Sequence, residues 1–165
     1  MLAFTKAQNL SFKIVGFGSF EGFPDATASD SKNFDPKAPE FRVYQQFTED
    51  LVRKNISSVH GLSDEDLHDL VLVKGWIPDS FSDFDFSQGI ALLHIDVDLY
   101  APYKASLEIL WDFVLPGGLV IFDEYDLGRD TEKWPGAKKA IDEFTEQKGI
   151  KIEKHWTGRA HILKK

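Results

Sequence analysis

The chain has 165 residues, 42% of them hydrophobic, and a formal charge of −8, enough for one core and short for two. The acidic balance argues against a nucleic-acid partner, which needs a basic face, and the absence of cysteine rules out disulfides and thiolate metal centres. No apolar run approaches the roughly 18 residues of a membrane span, and "MLAFTKAQNL" carries Lys6, Gln8 and Asn9 where a leader needs apolar residues, so a soluble cytoplasmic protein with no membrane partner is expected.

"FKIVGF" (12–17) reads as a buried strand, followed by a long loop rich in Gly, Pro, Ser and Asp, "GSFEGFPDATASDSKNFDPKAP". From Pro39 to about Lys54 the spacing predicts a helix, with Phe41, Tyr44, Phe47 and Leu51 on one stripe. "LVLVKGWI" (70–77) and "IALLHI" (90–95) are two further strands, the second apolar enough to be covered on both faces. A helix is expected from about Pro102 to Val114, ended by "PGG", and then a fourth strand, "LVIF" (119–122). A last helix spans about Pro135 to Gln147 with Gly149 as its stop. "IKIEKHW" and "GRAHILK" close the chain as an antiparallel pair turning at Thr157 and Gly158. Strands alternating with amphipathic helices predict an α/β fold: one doubly wound, Rossmann-like, mostly parallel sheet in a single domain (1–165), with an antiparallel edge at the carboxyl end.

The segment 90–122 reads as a right-handed βαβ unit, so its two strands run parallel and end on one rim. At that rim of an open α/β sheet ligands bind. One strand ends in Asp96-Val97-Asp98, the other in Asp123-Glu124-Tyr125-Asp126. Carboxylates gathered this closely repel unless a cation lies among them, and an all-oxygen set suits Mg²⁺ or Ca²⁺. Two other readings stay open: a helix cap at Asp98 or Asp126, and an Asp-x-Asp motif for a sugar nucleotide. His94, inside its strand, reads as a hydrogen-bonded core histidine. Trp76, at a strand end on the same rim, either stacks a flat ligand such as adenine or is buried.

Several stretches together resemble the macrocin O-methyltransferase family: "GFGSFEGFP" (16–24), "LVKGWIPDSF" (72–81), "IALLHIDVDLYAPYKASLEILWDFVLPGGLVIFDEY" (90–125), "PGAKKAIDEF" (135–144) and "HWTGRAHI" near the end. The resemblance runs in order along nearly the whole chain. It implies a class I S-adenosylmethionine-dependent enzyme that methylates a hydroxyl of a sugar or similar polyhydroxylated small molecule. It also implies Mg²⁺ held by Asp96, Asp123 and Glu124, the last standing where the family more often has Asp. The cation would grip two adjacent hydroxyls and lower the pKa of one, and Asp96 or Asp98 would take its proton. The cofactor contacts implied are Ser19, Glu21, Gly75 and Trp76.

Two features depart from the family pattern. Gly18 stands where the family has an Asp that holds the cofactor ribose, leaving Ser19 or Glu21 as substitutes. No Gly-rich strand-to-helix turn precedes residue 12, so the family's first, central strand is expected to be missing. A fragment of a longer enzyme, a shortened member with weak or lost cofactor binding, and a strand donated by a partner each account for this; an open sheet edge favours a homo-oligomer. The competing functions are a metal-dependent glycosyltransferase using "DVD" and a non-enzymatic α/β interaction domain. Arg129 and Trp134, in the loop 126–136, are further candidates for contacting the acceptor.

Overall fold

The computed structural model describes residues 12–125 and 132–165. They fall into two compact units, one from the residues up to Pro24 together with Pro36–Phe84, the other from Asp25–Asp35 together with Asp85–Lys165.

In the first unit β1 (Ile14–Gly18) and β2 (Leu70–Lys74) pair in parallel, Ile14 opposite Leu70 and Gly18 opposite Lys74. Leu67 and Leu70 form a small core with Ile14, Ile56, Leu62 and Leu72 around them. Phe17 meets Phe81 edge-on at 5.1 Å between ring centres. The single helix expected from Pro39 is corrected to two pieces: a 3-10 helix, Pro39–Gln46, and α1, Glu49–His60. Thr48 divides them. Its side chain accepts the Leu51 N–H at 3.2 Å, and Glu49 and Asp50 fill the first turn, so a fresh helix start is written into the middle of the aromatic stripe.

The second unit holds β3 (Ile90–Ile95), α2 (Tyr100–Leu110), β4 (Val114–Phe122), α3 (Pro135–Lys148), β5 (Glu153–Lys154) and β6 (Ala160–Leu163). The ladder order is β3-β4-β6-β5, parallel between β3 and β4 and antiparallel beyond. The antiparallel tail thus occupies one edge, as expected. Tyr103, Leu107, Val120, Phe122, Ala137, Ile141 and Ile162 form a dry core between the helices and this sheet, each at most 1% exposed. Gly149, at φ 64°, ends α3 in the left-handed conformation its lack of a side chain favours.

"PGG" does not stand outside the strand. It lies within β4, in a register shift between the Ile90–Val114 and Leu92–Leu119 pairs. The close approach of chains there needs glycine: a Cβ on Gly118 would sit 2.8 Å from the Leu115 carbonyl oxygen and 3.0 Å from that of Ile90. The strands expected to form a single sheet stand in two ladders. Among the described residues no strand pairs with both β1 and β3, so the hydrogen bonding stops there.

Candidate active site

The parallel pairing of β3 and β4 sets Ile95 opposite Phe122, the last residue of each strand. The Asp123 N–H then donates to the Ile95 carbonyl at 3.0 Å, carrying the ladder one residue past the strands. Asp96 and Asp123 therefore leave the sheet side by side, and Asp98 and Glu124 follow. Two ligand-competent groups result, sharing Asp96: His94 with Asp96 and Asp123, and Asp96 with Asp98 and Glu124, one donor atom from each residue lying within 4.8 Å of the others in its group. Of the residues expected to bind metal, Asp123 joins the first group, Glu124 the second and Asp96 both.

The two groups differ in environment. Glu124 is buried, 3% exposed, with Oε2 on the Tyr103 hydroxyl. Burial pushes its carboxyl up to about 9, against the lowering pull of that hydroxyl; a hydrogen bond with Asp96 and the charges of Asp98 and Asp96 add to the rise. Tyr103, itself buried, is held far above the usual phenol range by burial and then by Glu124. Asp123 is more open. Arg159 donates to both its carboxylate and its carbonyl, the latter at 3.2 Å, and His94 Nε2 lies 3.4 Å from Oδ1.

Two residues correct the sequence reading. His94 is not a core histidine: strand alternation turns it away from the face of buried Ile95, and its side chain is 43% exposed beside Asp123. Asp98 does not cap α2. Leu99 occupies the cap position with no side-chain bond, and the first N–H, that of Tyr100, goes to Asp30 Oδ1 at 2.8 Å. Asp98 instead turns the chain at φ 59°, a left-handed conformation that Asp tolerates better than most side chains. Its carboxylate lies in the acidic group with Asp96 and Glu124.

At the ends of β1 and β2 the Gly75 N–H donates to the Gly18 carbonyl at 3.0 Å, so Ser19, Glu21, Gly75 and Trp76 gather at one edge of that ladder. The Ser19 hydroxyl serves the turn, donating to the Gly22 carbonyl at 2.8 Å and accepting the Glu21 N–H at 3.1 Å. Glu21 pairs with Lys74 at 3.2 Å and is half exposed. Trp76 is 38% exposed, which removes burial as its explanation. Trp134 is buried against Phe34, ring centres 5.2 Å apart, and is not a free loop aromatic. Asp126 and Arg129 lie outside the described residues.

Sequence reasoning passed over Tyr103, within the helix expected from Pro102, and Arg159, inside the "HWTGRAHI" motif. It missed Asp30 altogether, since a cap supplied from a remote loop has no local signal.

A family model described as macrocin-O-methyltransferase matches residues 1–158. Mycinamicin III 3''-O-methyltransferase of Micromonospora griseorubida is 29% identical over 143 residues, 82% of this chain and 50% of that protein. Among solved structures, the O-methyltransferase NovP superposes with a TM-score of 0.69 at 23% identity, over 97% of this chain and 63% of that one, a likeness of fold. CalS11, a calicheamicin methyltransferase, superposes with a TM-score of 0.66 at 29% identity, over 92% of this chain and 60% of that one. The chain thus spans about half the length of the curated relative it matches and under two thirds of these structures. No helix among the described residues is long and apolar enough to cross a membrane. By the extent and order of these matches, the chain belongs to the macrocin O-methyltransferase family.

Proposed function

We propose that this chain carries the acidic centre of an S-adenosylmethionine- and Mg²⁺-dependent O-methyltransferase acting on a sugar hydroxyl. The observation that carries the reading is the convergence of Asp96, Asp98 and Glu124 at neighbouring parallel strand ends, in a chain of this family. The relatives support the acceptor class: one is a mycinamicin III 3''-O-methyltransferase, and another CalS11 structure is of a TDP-rhamnose 3'-O-methyltransferase.

The donor set fits a hard divalent cation. It is all oxygen in the Asp96–Asp98–Glu124 group, and burial, with Asp96 and Asp98 adding to it, holds the Glu124 carboxyl well above the usual carboxylate range. Asp96, Asp98 and Glu124, which bring one oxygen each within 4.8 Å of the others, would hold the cation, with Asp123 beside Asp96 in the neighbouring group. When bound, it supplies Lewis acidity that makes a sugar hydroxyl easier to deprotonate. Asp96, exposed just past the end of β3, or Asp98, half-buried, would accept the hydroxyl proton as the oxygen takes the methyl group, the methyl–sulfur bond breaking with its electron pair left on the sulfur of the neutral thioether product. Arg159 keeps Asp123 oriented and balances part of the negative charge.

For the methyl donor, Glu21 offers a half-exposed carboxylate for the ribose hydroxyls and Trp76 an exposed ring for the adenine, beside Ser19 and Gly75 at the same strand edge. Glu21 is the better ribose ligand of the two polar candidates, because its pair with Lys74 is half exposed and exchangeable, whereas the Ser19 hydroxyl is engaged within its own turn.

Calorimetry with S-adenosylhomocysteine, with and without Mg²⁺, tests the reading, followed by methyl transfer to a panel of sugar nucleotides and glycosides. Binding of the product in at least one condition, and labelled methyl on a sugar hydroxyl that is lost in Asp96→Asn, are expected. No binding in either condition removes the methyltransferase reading for this chain. A thermal shift by a nucleotide sugar alone would favour a glycosyltransferase instead.

A further inference from the structure

The rim holds one buried hydroxyl whose position the fold alone does not demand. Tyr103 is 0% exposed and comes from the inward face of α2, where a phenylalanine would fill the same apolar space. Its hydroxyl reaches the Ile95 carbonyl oxygen at 2.8 Å and Glu124 Oε2. Ile95 ends β3, immediately before Asp96; Glu124 lies two residues past the end of β4. One phenol oxygen therefore bridges the two strand ends that carry the acidic residues. Burying a hydroxyl in a core is unfavourable unless it is partnered, and here both partners belong to the acidic rim. A glutamate side chain has three rotatable bonds, so without such a contact its carboxyl samples several positions.

We propose that Tyr103 is a positioning residue for the cation site, fixing the Glu124 carboxyl so that it presents a ligand oxygen together with Asp96 and Asp98. This rests on the cation-dependent reading above. The hydroxyl holds one side of the carboxyl to the end of β3 and so fixes the orientation of the other. Its part is geometric: Tyr103 touches neither acceptor nor cofactor and transfers no proton to them.

The test is binding of Mg²⁺ alone, by calorimetry, and of Mn²⁺ alone, by electron paramagnetic resonance, to four forms of the whole chain: wild type, Tyr103→Phe, Glu124→Gln and the double variant. Circular dichroism checks that each is folded. We expect Tyr103→Phe to weaken cation binding about tenfold, in the range typical of groups that orient metal ligands, and to cause no further loss once Glu124 is Gln. Unchanged affinity in Tyr103→Phe overturns the proposal and leaves the cation reading standing. So does an equal loss in both backgrounds, which would mark a general structural role. A wild-type chain that binds neither ion overturns the cation reading, and the proposal with it. Should Tyr103→Phe not fold, wild-type chain labelled at the tyrosine Cζ carries the test. A resonance that shifts with Mg²⁺, and does not in Glu124→Gln, supports the proposal; a titration that moves none overturns it.

Discussion

At the residue scale, the site is built from side chains that each forgo a commoner use. Asp98 leaves the helix cap to Asp30 and takes a left-handed turn, which keeps its carboxylate with Asp96 and Glu124. Glu124 is buried at a charged rim, where its contacts with Tyr103 and Asp96 offset part of the loss of water. Gly18 shows the opposite economy: a carboxylate is absent where the family pattern has one, and space for it remains. Among the described residues a Cβ there would meet only the Phe20 ring, at 3.8 and 4.0 Å, and the backbone is not in the left-handed region. Gly18→Asp is therefore expected to fold as the parent does. It should bind S-adenosylhomocysteine more tightly by about ten- to a hundredfold, the worth of one charge-assisted hydrogen bond of about 1.5–3 kcal/mol. Calorimetry on the two proteins decides it; equal affinity would show that Glu21 already serves the ribose fully.

At the scale of elements, the start of α2 depends on a residue 70 positions away. Asp30 is 7% exposed; its Oδ2 accepts the Thr27 N–H at 2.7 Å and the Thr27 hydroxyl at 2.8 Å, while Oδ1 accepts Tyr100 N–H. One carboxylate thus closes its own loop and caps the helix that carries Tyr103. Gly136, in the first turn of α3, lets this happen: a Cβ there would lie 1.9 Å from Asp30 Oδ1. Asp30→Ala is expected to cost about 1–2 kcal/mol in denaturant unfolding, at the upper end for a lost helix cap because the acceptor is buried. Gly136→Ala should be destabilising in the parent and less so beside Asp30→Ala, since the second change removes the contacts with the Asp30 carboxylate and leaves only that with Tyr100 Cβ, at 2.9 Å. Additive effects would show that the two residues do not share this contact.

At the scale of the whole molecule, a formal charge of −8 and a crowded acidic rim tie stability to protons and cations. Glu124 titrates at 4.5 when unfolded and is pushed up to about 9 when folded. Its contribution to stability is therefore complete below about pH 4.5. It is lost as pH rises toward and through about 9, because the unfolded chain releases the proton that the folded one must keep. In the presence of a chelator, Tm of the wild type should fall across that window more steeply than Tm of Glu124→Gln, and Mg²⁺ should flatten the wild-type curve by replacing the proton. Parallel curves for the two proteins would mean that Glu124 is ionised in the fold. Measuring the difference from Glu124→Gln isolates this group from the other carboxylates.

The amino-acid sequence by itself determined the α/β alternation, the parallel pair that ends in acidic residues, and the family, because apolar strand runs, helical spacing and strand-end carboxylates are local patterns. That Asp96, Asp98, Asp123 and Glu124 come together at one pair of strand ends was legible for that reason. Only the tertiary structure decided that the carboxylates divide into two groups around Asp96, with Glu124 buried and Asp123 held by Arg159 and His94. It alone revealed that Asp30 starts α2 and that Tyr103 joins two strand ends. These depend on which side chain reaches which across the fold, and hydrogen bonds between residues far apart in the chain leave no periodicity to read.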